Sequence, residues 1–285
     1  MLLSELIEKL NPVNIRGCAD IEIKSIAYDS RRAEKDSLFV CIEGTVVDGH
    51  KFIKDVIEKG AKAILVQKEV EAPSDVTVVQ VDDTRYALAC VSAAFYSYPS
   101  NRFKLIGVTG TKGKTTTTYM IKSILETENH KVGLVGTIAN YIGDEVLHTE
   151  RTTPESLDLQ SLFSQMVAKD VDSVVMEVSS QGLALNRVSC CDFDIGIFTN
   201  LSRDHIGPRE HKDIDDYLNA KIKLFKMCKN GLVNIDSEYA KRVIDNAECD
   251  VLTFGIEKDA DIKAENIIKH SDSVEFDVKT PWMSG

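Results

Sequence analysis

The chain has 285 residues, enough for about two domains, each able to bury its own core. Its hydrophobic content of 43% and charged content of 28% are ordinary for a soluble globular protein, while a net charge of -11 argues against a nucleic-acid partner, which would need a basic face. Any anionic ligand would have to be held by a locally basic site on this acidic protein.

The first residues, Met1-Leu-Leu-Ser-Glu-Leu-Ile-Glu-Lys-Leu10, carry acids and no basic leader, so they read as a short amphipathic helix rather than a signal peptide. Beyond it, strands are expected at Ile21–Ala27, Ser37–Glu43, Ala63–Gln67 and Val76–Val81, with helical spacing at Phe52–Lys59 and Thr84–Tyr96. Two polar turns follow strands, Tyr28-Asp29-Ser30-Arg31-Arg32 and Glu43 to His50. Turns in that position are either solvated surface or small-molecule contacts. Tyr98-Pro99-Ser100-Asn101 is the best linker, dividing residues 1–98 from 99–285.

From there strands and helices alternate, which implies a mainly parallel sheet with right-handed crossovers. The apolar run Phe103–Val108 leads into Thr109-Gly110-Thr111-Lys112-Gly113-Lys114-Thr115-Thr116 and a helical pattern from Thr117 to Glu128. A glycine-rich turn between strand and helix makes an anion cradle from backbone N–H groups and the helix dipole. In such a loop Lys114 can reach the β- and γ-phosphates and the Thr115 hydroxyl can ligate Mg²⁺. The generic P-loop wants glycine where this chain has Val108, so the match is to a variant. A strand follows at Lys131–Val135, then a long polar segment from Asn140 to Thr153 and a helix over Glu155–Lys169, with Pro154 suited to its first turn. Strands are expected at Ser173–Val178, Phe193–Thr199, Leu232–Ile235 and Val251–Phe254, with helices at Asp215–Met227 and Glu238–Ala247. Ile262 to Lys279 alternates like a β-hairpin.

Glu177 ends a buried parallel strand, where the ligand crevice of an open α/β sheet lies, and could hold Mg²⁺ with Thr115. The next strand ends near His205, a candidate for a second metal or a phosphate contact. Tyr217, Lys221, Leu224 and Phe225 share one helix face. Spacing alone reads Lys221 as a snorkelling lysine, although burial would make its neutral amine reactive. The seven cysteines (18, 41, 90, 190, 191, 228, 249) show no zinc spacing and are expected as buried free thiols of a reducing cytoplasm. No apolar run approaches the ~18 residues of a membrane span.

Taken together, residues 107–116, Thr152-Thr153-Pro154-Glu155-Ser156, Met176–Ser180, Phe198–Leu201 and Tyr217-x-x-Ala220-Lys221-x-x-Leu224-Phe225 resemble the Mur ligases in type and order. Asp29-Ser30-Arg31 and Asp48-Gly49-His50 narrow the resemblance to the MurE type, the UDP-N-acetylmuramoyl-tripeptide synthetases. It implies a small N-terminal UDP-sugar domain and a P-loop central domain. ATP would lie on Gly110, Thr111, Lys112, Gly113, Lys114, Thr115 and Thr116. Ser30, Thr45, Val46 and Val47 would contact the UDP-sugar, and Thr152, Thr153, Ser179 and Arg187 the muramoyl-dipeptide. Glu177 and His205 match the family's Mg²⁺ ligands, and Lys221 matches a lysine carbamylated by CO₂, which reverses the reading from spacing. The implied reaction passes the γ-phosphoryl of ATP to the carboxylate of UDP-MurNAc-L-Ala-D-Glu, and an amino acid then attacks the acyl phosphate. Lys114 and the metals would offset the charge on that group.

Lys112 stands where the family most often has asparagine, and nothing in the sequence explains it. The run Ile206-Gly207-Pro208-Arg209-Glu210-His211-Lys212 is a variant form that leaves His211 without an assigned role. The chain stops inside what the resemblance implies are the last strands of the central domain, so the amino-acid-binding C-terminal domain is expected to be missing. The 285 residues are expected to bind nucleotide without ligating. Rival readings are a MurF or folylpolyglutamate synthetase type and a non-catalytic nucleotide and UDP-sugar-binding fragment. Retention of Glu177, His205 and Lys221 argues against the last.

Overall fold

Short apolar runs decide the first unit. Strands β3 (Ser37–Val40) and β4 (Ala63–Val66) are buried at every position, which is what a parallel strand covered on both faces requires. Neighbouring side chains point to opposite sides. Leu38, Val40 and Leu65 enter one apolar cluster, and Phe39, Ile64 and Val66 the other. Each large side chain buried this fully contributes roughly 1.5–3 kcal/mol relative to exposure. The computed structural model describes residues 1–44, 47–207 and 210–282 and divides into two compact units.

Unit one comprises Met1–Pro99 with Glu155–Ser164 and Leu185–Cys190. Its elements are α1 (Leu3–Leu6), β1 (Asn14–Arg16), β2 (Ser25–Ala27), β3, α2 (Ile53–Glu58), β4, β5 (Thr77–Gln80) and α3 (Thr84–Phe95). The sheet order is β1-β5-β4-β3-β2, parallel except for β1. Helix α3 is capped by Asp83, whose Oδ1 accepts from the N–H groups of Arg85 and Tyr86. Three local expectations shrink here. The N-terminal helix is one turn, and β2 and β3 are shorter than the apolar runs that announce them.

The expectation of free thiols fails at one pair. Cys90 on α3 and Cys190 are bonded, their Cα atoms 5.5 Å apart. They lie 100 residues apart in sequence, so spacing could not reveal that residues 185–190 return to α3. Cys18, Cys41, Cys191, Cys228 and Cys249 are free, and Cys18 is exposed rather than buried.

Unit two comprises Ser100–Pro154, Gln165–Ala184 and Cys191–Gly285. It contains β6 (Lys104–Thr109), α4 (Lys114–Thr127), β7 (Val132–Val135), β8 (Asn140–Ile142), β9 (Glu145–Leu147), the later part of α5 (Ser156–Ala168), β10 (Ser173–Glu177), α6 (Ser180–Ala184), β11 (Phe193–Phe198), α7 (Ile214–Ile222), β12 (Cys228–Asn234), α8 (Ala240–Asp245), β13 (Asp250–Gly255), β14 (Ile262–Lys269) and β15 (Val274–Lys279). The sheet runs β15-β14-β13-β12-β11-β6-β10-β7-β8-β9. Its centre is parallel, and antiparallel hairpins close both edges. Ile121 and Leu125 of α4, one turn apart, pack on Ile106, Val108, Val132, Val175 and Ile197.

The polar segment after residue 140 is not a plain loop but the hairpin β8–β9, whose strands of three residues are too short for periodicity to register. Helix α5 begins at Ser156, so Pro154 lies just before its first turn. Helix α7 ends at Ile222 and continues as a tighter turn over Lys223–Lys226. Among the described residues no helix is long and apolar enough to cross a membrane.

Candidate functional site

Parallel pairing brings the carboxyl ends of β11, β6, β10 and β7 to one edge of the sheet. Glu177 lies opposite Val108, and Phe198 opposite Thr109. The chain runs from β6 to one side and later returns to β11 on the other, so the loop after β6 sits where the strand order reverses.

Glycine is required at two points of this loop. Gly113 has φ +87° and caps α4, and Gly110 has φ +154° with no room for a Cβ, which would meet Thr199 Oγ1 at 2.0 Å. The loop is also pinned from outside. Thr111 N donates to Asn200 O (2.9 Å), Lys112 N donates to Asn200 Oδ1 (3.0 Å), and the Lys112 carbonyl accepts from Thr199 Oγ1 (2.8 Å) and Asn200 Nδ2 (3.0 Å). The Lys112 backbone is thus fixed while the residue itself stays exposed. Nothing in the structure explains its charge.

Lys114 Nζ donates to Gly110 O (2.9 Å) and Thr111 O (3.1 Å). Burial pushes its pKa down, against the opposing pull of Glu177 and Asp204. Thr115 Oγ1 donates to Glu177 Oε2 at 2.9 Å. Glu177 is buried and also accepts from Thr137 N (2.9 Å) and Thr137 Oγ1 (3.2 Å). Gly136 leaves space for that carboxylate, since a Cβ there would stand 2.6 Å from Oε1. Thr137 was missed in the sequence. It follows β7 at the same sheet edge, and carrying the strand-end rule one strand further would have found it.

Lys221 is buried on α7, and its Nζ donates to the same Gly110 carbonyl at 2.9 Å. Burial, reinforced by Lys114, holds its pKa well below the usual lysine value. Burial thus disfavours the charged ammonium and makes the neutral amine easier to reach than in an exposed lysine. It is not a snorkelling side chain. Tyr217 lies beneath it, with Nζ 4.4 Å from the ring centre.

Around Glu177 the other expected residues have structural duties. Thr153 is buried, donates from Oγ1 to Glu177 O (3.0 Å) and accepts from Ser179 N (3.0 Å). Thr152 Oγ1 pairs with Thr137 Oγ1 at 3.0 Å, and Ser179 Oγ accepts from Gly182 N at 3.0 Å. His205 stands apart from Glu177 in its bonding. Its backbone has φ +53°, and its Nδ1 pairs with Glu210 Oε1 at 3.0 Å.

The remaining expected residues belong to unit one. Ser30 opens a turn capped by Asp29 Oδ1, which accepts from Arg31 N (3.0 Å), and Lys59 Nζ donates to Ser30 O (2.6 Å). Arg31 holds the Asp29 pKa down at about 2. Val47 is half exposed, and its carbonyl accepts from Gly44 N (3.0 Å). Thr45 and Val46 lie outside the described residues. Arg187 is ion-paired with Glu155 at 2.9 Å.

Magnesium prefers hard oxygen ligands and is commonly bound through one or two carboxylates plus substrate phosphates. The Thr115 hydroxyl and the Glu177 carboxylate fit that set. Among the described residues no group of three or more His, Cys, Asp or Glu forms a self-sufficient metal cage.

Two family models match the chain, the Mur ligase middle domain over residues 108–285 and the catalytic domain of the Mur ligase family over residues 22–96. A UDP-N-acetylmuramoyl-L-alanyl-D-glutamate–2,6-diaminopimelate ligase of Clostridium botulinum is 50% identical over 259 residues, covering 90% of this chain and 53% of that protein. The corresponding ligase 1 of Clostridium acetobutylicum is 49% identical over 278 residues, covering 98% and 57% respectively. A solved structure of a ligase of the same name superposes with a TM-score of 0.85 at 23% identity, over 99% of this chain and 58% of that one, and shares its fold. The chain thus spans little more than half the length of these relatives.

Proposed function

We infer the function from one premise: the chain belongs to the Mur ligase family. We propose that it carries the UDP-sugar and ATP sites of an ATP-dependent amide-bond ligase of the MurE type. Such an enzyme adds the third amino acid to UDP-MurNAc-L-Ala-D-Glu during peptidoglycan precursor synthesis in the cytoplasm. Diaminopimelate is the proposed amino acid, because the relatives near 50% identity are named for it. Residues 1–98 are the proposed UDP-sugar domain and 99–285 the proposed ATP domain.

The observation that carries this reading is the convergence of Lys114, Lys221, Thr115 and Glu177 on one glycine loop, with Thr115 and Glu177 2.9 Å apart. A loop that bound phosphate passively would need Lys114 and backbone N–H groups, but not a buried carboxylate behind the threonine or a second buried amine. Thr115 and Glu177 would hold Mg²⁺, which when bound screens the phosphates and orients the γ-phosphoryl group. Lys114 would exchange its loop carbonyls for the β- and γ-phosphate oxygens. Backbone N–H groups of residues 110–116 would cradle the anion.

The neutral Lys221 amine is the form that adds CO₂, releasing a proton and leaving a carbamate anion as a further oxygen ligand. His205 could serve a second ion once its pair with Glu210 opens. Thr153, committed to the backbone around Glu177, fits a positioning role better than direct substrate contact. Thr152, Ser179 and Arg187 remain the proposed muramoyl-dipeptide contacts, and Ser30, Thr45, Val46 and Val47 those of the UDP-sugar. The substrate carboxylate would take the γ-phosphoryl group, and the incoming amine would expel phosphate through a tetrahedral intermediate.

Calorimetric titration with Mg-ADP and with UDP-MurNAc-L-Ala-D-Glu tests the reading, and both ligands should bind. Binding of neither would refute it. Phosphate release from ATP with that dipeptide, comparing diaminopimelate and lysine, tests the specificity. Binding without turnover is the second reading, supported if both ligands bind and no phosphate appears.

A further inference from the structure

His211 is unexplained by the proposed chemistry, yet it is buried. Its side chain is only 2% exposed. Nδ1 pairs with Asp216 Oδ2 at 3.0 Å, the same oxygen that accepts from Lys212 N at 3.3 Å. Its backbone N–H donates to His205 O at 3.0 Å. Nε2 is buried and has no hydrogen-bond partner among the described residues. What it packs against is Tyr217, with ring centres 5.0 Å apart and planes inclined by 36°.

Tyr217 is itself 1% exposed and reaches the loop in two ways. Its hydroxyl donates to Thr111 Oγ1 at 3.2 Å, and its face lies under the Lys221 amine. Thr111 Oγ1 is further tied to Ser202, accepting from its N–H at 3.0 Å. His205 flanks the same tyrosine at 5.8 Å. Tyr217 is therefore the wedge between α7 and the glycine loop, and its ring orientation is set largely by its neighbours.

We propose that His211 is a positioning residue: buttressed by Asp216, it fixes the Tyr217 ring and through it the loop at Thr111 and the amine of Lys221. It touches no substrate itself. The proposal rests on the loop being the nucleotide site only for its effect on binding. Its effect on loop order stands independently. Truncating a buried ring leaves a void that neighbouring side chains fill by tilting, and the first hydrogen bond strained by a tilted Tyr217 is that to Thr111.

The test combines amide hydrogen exchange with Mg-ADP titration on the purified 285-residue chain. The N–H groups of Thr111 and Lys112 are bonded to Asn200, so their exchange reports loop opening. His211→Ala should accelerate both by about tenfold or more relative to Val243→Ala, a remote core truncation in α8 that controls for lost stability. His211→Phe, which restores a ring against Tyr217, should recover most of the protection. Tyr217→Phe keeps the ring but removes the hydroxyl, and should also open Thr111. Mg-ADP affinity should fall by about three- to tenfold in His211→Ala and recover in His211→Phe.

Exchange in His211→Ala equal to that in Val243→Ala would overturn the proposal. If His211→Ala does not fold, unchanged Thr111 exchange in Tyr217→Phe overturns it instead. Accelerated exchange in a chain that never binds Mg-ADP would uphold His211 and refute the nucleotide reading.

Discussion

Replacing Gly110 by alanine is the sharpest probe of the loop. The new Cβ would stand 2.0 Å from Thr199 Oγ1 and 3.2 Å from Asn200 N and O, so something must move. Thr199 Oγ1 is not a loose side-chain end, because it donates to Lys112 O at 2.8 Å and holds the middle of the loop. Displacing it sacrifices a hydrogen bond worth about 1 kcal/mol. Forcing an L-residue to φ +154° adds strain of order 1–3 kcal/mol. A combined penalty of roughly 2–4 kcal/mol corresponds to about 30- to 1,000-fold in any equilibrium that needs the native loop. Mg-ADP titration of Gly110→Ala should show a loss in that range, with thermal unfolding measured alongside. Thr199→Ala removes the clashing oxygen, so Gly110→Ala should cost less in that background. Mg-ADP binding within twofold of the parent, or equal penalties in both backgrounds, would refute the reasoning.

Other outcomes follow from the same geometry. Glu177→Gln preserves an acceptor for Thr137 N, so stability should change by less than about 1 kcal/mol, whereas the gain in nucleotide affinity from Mg²⁺ should disappear in titrations with and without the ion. Lys221→Met replaces a buried amine by an apolar chain and should stabilise the fold by about 1 kcal/mol in denaturant melts. The lysine pKa is lowered in the fold, so the unfolded chain binds more protons, and parent stability should rise with pH up to the ordinary value of 10.5. Lys221→Met should flatten that rise.

Hydrogen bonds from Lys62 and Lys24 hold Asp36 at about 2, below its ordinary 3.8, so its contribution is complete above the ordinary value and lost as pH falls towards 2. Asp36→Asn, which tolerates the φ of +63°, should remove that part of the acid limb in unfolding curves between those values. Reducing the Cys90–Cys190 bond, which closes a loop of about 100 residues, should lower stability by up to roughly 4.7 kcal/mol, with alkylation and intact mass reporting the two freed thiols.

The fold was readable where one segment carried its own signal. The run Ala63–Val66 announces a parallel strand by being apolar at every position and Ser173–Glu177 by its Val174-Val175-Met176 centre, and the glycines of residues 110–113 announce a turn from strand to helix. The signal failed where an element borrowed its stability from elsewhere. The hairpin β8–β9 has too few residues for a period, whereas the short first helix was read but shrinks to a single turn. Thr137 escaped notice because its importance lies in facing Glu177, 40 residues away.

What the sequence determined by itself is the chemistry on offer. It supplies a glycine loop with Lys114 and Thr115, a strand-end carboxylate at Glu177 and a lysine at 221 on the apolar face of a helix. These are local properties, fixed by residue type and by periods of two and 3.6. Only the tertiary structure decided which of these groups meet. Parallel pairing of β6 with β10 set Glu177 behind Thr115, and the packing of α7 turned Lys221 from an apparent snorkelling side chain into a buried amine on the Gly110 carbonyl. Burial is a sum over distant neighbours, and no window of sequence contains it.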